Sequence, residues 1–172
     1  VRLSEFGTVL SEARAANPGL HLTLHSGESL LEDNDEIRSA LELGAERIGH
    51  GYNLYRHEDI KARVIREGIP LEVCPLSNYY LGYCEDLTRH PAREYIRDGV
   101  SVVLADDDPA YFEGNNFVDD IFAAVVYWDL GLSDLEKLFR CSIEKSFLPD
   151  HLKEAHLAEW SSRWEAFLAG TY

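Results

Sequence analysis

Short apolar runs alternate along the chain with longer stretches whose apolar residues recur at helical spacing, and Gly, Pro or Asn marks the joins. The spacing in LSEFGTVLSEARAA predicts a helix over 3–16, ended by Asn17, Pro18 and Gly19. LHLTLH (20–25) then reads as a strand, 34–43 as a helix stopping at Gly44, and RIGH (47–50) as a second, short strand. The pattern repeats with a helix over 57–67 closed by Gly68, a strand PLEVCP (70–75), a helix HPAREYIRD (90–98) closed by Gly99, and a strand VSVVLA (100–105). From about Asn116 the chain reads as helical to its end, broken near Gly131 and Pro149. The run Val102, Val103, Leu104 lacks apolar/polar alternation, as expected of a parallel strand covered on both faces. Strands joined by helical crossovers make this an α/β chain with a parallel sheet, either doubly wound or part of a barrel.

Each strand ends on groups capable of chemistry. The first runs into HSGE (25–28), the second into GHG (49–51), the third into CPLSN (74–78) and the fourth into DDDP (106–109). Parallel neighbours deliver such groups to one rim. A single histidine at a strand end is usually a hydrogen-bonded structural residue; two histidines, a glutamate and an aspartate run arriving together point to a site. Imidazole and carboxylate suit zinc, which in catalytic sites keeps a position for water and lowers its pKa toward neutrality. Metal-assisted hydrolysis is therefore the leading class. The plainer reading of the aspartates is a solvated turn, with Asp108 capping a helix that starts at Pro109.

Composition limits the partners. The 172 residues, 45% hydrophobic, suffice for one core, and 31 acidic against 16 basic residues give a formal charge of -15. That charge opposes nucleic-acid backbones and anionic membranes. No apolar stretch approaches the roughly 18 residues that span a bilayer. Cys74, Cys84 and Cys141 form no C-x-x-C pair and leave the redox compartment open. The sequence starts at Val1 and contains no methionine, so it reads as a piece of a longer protein.

HSGE, LGAERIGHG, EVCPLSN and DDDP, in this order and spacing, resemble the C-terminal half of the adenosine deaminase family of metal-dependent amidohydrolases. EVCPLSNYYLGYCEDLTRHPAREYIRDG, DDPAYF and SSRWEAFLAG are most similar to its secreted, growth-factor-related branch. The resemblance implies that residues 1–172 are the C-terminal part of one catalytic (β/α)8 barrel domain and supply its fifth to eighth strands. It implies zinc-dependent hydrolysis of adenosine, and of 2'-deoxyadenosine, to the inosine product and ammonia. By the same resemblance His25 and Asp107 match zinc ligands, and Glu28 matches the acid that protonates purine N1. His50 matches the residue that orients the attacking water, and Asp108 the contact to purine N7. Asp106 stands where the family more often has a small polar or neutral residue.

The family's H-x-H pair of zinc ligands occurs nowhere in the chain. The N-terminal half of the barrel is therefore an expected partner, and the chain alone is expected to be inactive. An extracellular location follows from the branch, with the cytoplasm and a homodimer left open. The alternatives are a non-catalytic barrel-type binding or signalling domain, or an amidohydrolase acting on AMP or adenine. Ser77 and Asn78 read as rim-positioning rather than nucleophilic residues, since no His–Asp pair accompanies them. Cys74 lacks the P-C-x-x-C context of the other zinc deaminases. His151 and His156 read as surface residues, and Trp128, Trp160 and Trp164 as helix packing. His57 and His90 carry no assigned role.

Overall fold

The computed structural model describes residues 2–31, 35–111 and 116–171. The expected helix start at Asn34 and Phe112 of DDPAYF lie outside them. Four strands, β1 (Thr23–Ser26), β2 (Arg47–His50), β3 (Leu71–Val73) and β4 (Val102–Leu104), form one sheet. All neighbours are parallel and the spatial order β1-β2-β3-β4 follows the sequence. A doubly wound sheet would reverse its order at a switch point, whereas a barrel wall keeps it. The sheet is thus an arc of a barrel wall.

The helices are α1 (Gly7–Ala16), α2 (Glu36–Glu42), α3 (Glu58–Glu67), α4 (Pro75–Tyr80), α5 (Ala92–Asp98), α6 (Phe117–Trp128), α7 (Leu132–Glu144) and α8 (Asp150–Leu168). Registers place Leu24, Ile48, Leu71 and Val102 in one row. This row belongs to the main core, with Ile37 and Leu41 of α2, Ile60 and Val64 of α3, Tyr95 of α5, Trp128 of α6 and Leu138 of α7. The adjacent row, His25, Gly49, Glu72 and Val103, faces the other way, into the arc.

Lower on that inner face, Arg47 Nε donates to Glu72 Oε1 over 2.6 Å, and Thr23 Oγ1 donates to Glu72 Oε2 over 3.2 Å. Arg47 Nη1 also donates to the Lys145 carbonyl, tying the α7–α8 connection beneath the strands.

Two expectations need correction. The third strand stops at Val73 rather than running to Pro75, because Pro75 opens α4, where a fixed φ and a missing N–H are tolerated. The first helix is split, with 3-10 geometry over Leu3–Phe6 before α1 begins. Trp128 packs in the core, whereas His151 and His156 are exposed.

Candidate active site

His25 lies near the end of β1, in register with Gly49 of β2. A Cβ at position 49 would stand 3.1 Å from His25 Nδ1, so the glycine makes room for the imidazole. His50 closes β2 with φ +65, a left-handed conformation that costs a non-glycine residue about 1–2 kcal/mol. It is only 3% exposed. The two imidazoles meet at an angle of 65° with ring centroids 5.0 Å apart.

Asp107 follows β4 and is half-buried. Its Oδ2 accepts a hydrogen bond from the buried Ser77 hydroxyl over 2.7 Å. One donor atom from each of His25, His50 and Asp107 falls within 4.8 Å of the others.

The surroundings favour neutral imidazole. Burial holds the His50 pKa below its ordinary value; Glu28 and Asp107 oppose the shift and His25 reinforces it. Glu28 Oε1 stands 3.8 Å from His50 Nε2. His50 Nδ1 is buried without a hydrogen-bond partner among the described residues. Two imidazoles and a carboxylate, one with an unused buried nitrogen, form a donor set that fits a zinc-type ion. His25 and Asp107 could hold such an ion with His50 beside it. Cys74 is buried near Asp107, and burial, with Asp107 second, pushes its thiol far up. That environment favours the protonated thiol.

The structure brings Glu28 to the edge of this cluster, and Asp108 is exposed and not among the clustered donors. Asp106 is half-buried and is not among the clustered donors. The plainer reading, a helix starting at Pro109, runs into residues outside the described ones; the described residues 109–111 form a turn in which the Asp108 carbonyl accepts from the Tyr111 N–H over 2.9 Å.

Three supporting residues carried no warning in the sequence. His90 is buried, accepts from the Ala92 N–H at Nδ1 over 3.1 Å, and so donates from Nε2 to Asn78 Oδ1 over 3.0 Å. Asp120 of α6, fully buried, accepts from the Leu76 N–H in the first turn of α4 over 2.9 Å. Asn53 holds the loop that carries Glu28. Each acts through partners 12 to 44 residues away or from a neighbouring loop, contacts that no local pattern marks.

The family profile described as adenosine deaminase matches residues 5–161. An adenine deaminase of Cupriavidus metallidurans is 41% identical over 157 residues, 90% of this chain and 43% of that protein. Adenosine deaminase 2 of Sus scrofa is 35% identical over 153 residues, 84% of this chain and 30% of that protein. Among solved structures, an adenine deaminase from Arthrobacter aurescens superposes with a TM-score of 0.82 at 34% identity, over 94% of this chain and 49% of that one. The chain thus spans less than half the length of these relatives.

Proposed function

Starting from a chain that belongs to the adenosine deaminase family, we propose that these residues supply one side of a metal-dependent site that hydrolyses the 6-amino group of a purine. Water adds at C6 and ammonia leaves, giving the 6-oxopurine. The observation that carries this reading is the convergence of donor atoms of His25, His50 and Asp107 within 4.8 Å, with Glu28 Oε1 3.8 Å from His50 Nε2. Zinc is the ion that the donor set favours, and when bound it makes water acidic enough to deprotonate near neutral pH.

In this reading His25 and Asp107 hold the ion, together with ligands from outside the 172 residues. Glu28 donates a proton to the purine ring nitrogen N1, which relieves the charge that builds as C6 is attacked. His50, desolvated and neutral, orients the water and takes up its proton. Asp108, exposed at the rim, contacts the far edge of the base. A non-catalytic barrel would have no chemical use for all five groups at one rim.

Adenine comes first as substrate and adenosine second. The sequence motifs point to the nucleoside, yet identity reaches 41% with an adenine deaminase against 35% with an adenosine deaminase 2. The complete protein should therefore give a higher kcat/KM for adenine than for adenosine or AMP, measured by ammonia release at matched concentrations. Faster adenosine turnover would move the assignment to the nucleoside. No turnover of any 6-aminopurine by the metal-loaded protein would overturn the proposal.

A further inference from the structure

Asn53 lies in the 3-10 segment Tyr52–Arg56 and is 1% exposed. Its main-chain N–H donates to the Gly27 carbonyl over 2.7 Å, and its side-chain Nδ2 donates to the Ser29 carbonyl over 3.0 Å. Those carbonyls stand immediately before and after Glu28 in the chain. The Gly51 N–H donates to the Ser26 carbonyl over 3.0 Å and Arg56 Nη1 to the Leu30 carbonyl over 2.9 Å, so the seam continues on both sides. Gly27 takes φ +71, and a Cβ there would stand 2.7 Å from Asn53 Oδ1 and 2.5 Å from Ile37 Cδ1. The Glu28 loop therefore passes directly against the Asn53 amide.

His50 lies three residues before Asn53, at the end of β2 and two residues ahead of the 3-10 segment. One short stretch, 50–56, thus carries His50 and also grips the backbone from which Glu28 projects. Glu28 Oε1 and His50 Nε2 stand 3.8 Å apart across that seam. We infer that Asn53 is a positioning residue for Glu28, holding its carboxyl at the reacting edge of the purine through the paired bonds to the Gly27 and Ser29 carbonyls. The inference rests on the proposed role of Glu28 as proton donor. A proton donor displaced by a fraction of an ångström still permits substrate binding but transfers its proton poorly, so the loss falls on kcat.

The test uses the complete, metal-loaded protein. Asn53→Ala removes the Nδ2 bond and keeps the main-chain one. Asn53→Asp, of the same size, carries the test where truncation impairs folding. Both should lower kcat on the purine substrate about tenfold or more, with KM changed by less than about threefold and metal content unchanged. Ile37→Val, which trims the Gly27 surroundings without touching either bond, serves as the stability control and should keep kcat at a comparable fall in melting temperature. A kcat near that of the parent in both Asn53 variants overturns the inference, as does an equal kcat loss in Ile37→Val. Glu28→Gln, measured alongside, separates the two levels. If it loses turnover while the Asn53 variants keep theirs, only the positioning role fails; if it keeps turnover, the role of Glu28 falls and this inference with it.

Discussion

The Ser77 hydroxyl and Asp107 Oδ2 are 2.7 Å apart, and the hydroxyl is buried, so the bond fixes which carboxylate oxygen remains for an ion. Partners of this kind typically change metal affinity about 10–100-fold when removed. Ser77→Ala should accordingly weaken zinc binding by about tenfold or more, and Ser77→Thr, which keeps the hydroxyl, should restore most of it; competition with a chromogenic chelator measures both. Equal zinc affinity in all three proteins would show that the bond does not orient the carboxylate. The residue types at the rim were legible in the sequence, because strands that end on HSGE, GHG and DDDP deliver them to one edge. The orientation of Asp107 was not, since its serine partner stands 30 residues upstream in a helix that the pattern did not predict.

At the scale of elements, the segments after β2 and β3 are locked together by buried polar contacts. His90 donates to Asn78 Oδ1, lies 5.1 Å from the Trp128 ring and meets Tyr52 edge-on at 5.1 Å. The Tyr95 hydroxyl donates to the Tyr52 carbonyl over 2.9 Å. Burial pushes the His90 pKa down to about 3 from 6.5. Between these values an unfolded chain binds a proton that the folded one refuses. Stability from this group is therefore full above pH 6.5 and is lost as pH falls toward 3, at up to about 1.4 kcal/mol per pH unit. Urea unfolding of the complete protein between pH 7.5 and 4.5 should show this slope, and His90→Gln should flatten it; parallel curves for the two would contradict the assignment. Periodicity placed all four strands and most helices because their apolar faces are regular. It missed α4, a six-residue helix set by Pro75 and the Asp120 carboxylate, and it ran strands too far where apolar residues continue into loops.

At the scale of the molecule, the consecutive parallel order makes an arc whose outer strands, β1 and β4, have a sheet neighbour on one side only among the described residues. A closed barrel has no such edges. That geometry agrees with a chain that spans less than half of its relatives, and with a donor cluster that draws on three of the four strand ends. The family and the barrel wall were legible from four short motifs in order. The balance between adenine and adenosine was not, because every role proposed for the groups at this rim concerns the purine ring shared by both. In the proposed function Glu28 performs proton transfer at a metal site built in part by His25 and Asp107. The most direct test is purine turnover and metal content of the complete protein bearing Glu28→Gln. An amide of nearly the same shape cannot deliver the proton, so turnover should fall by roughly a hundred- to ten-thousandfold with the metal still bound. Turnover near that of the parent would contradict the account.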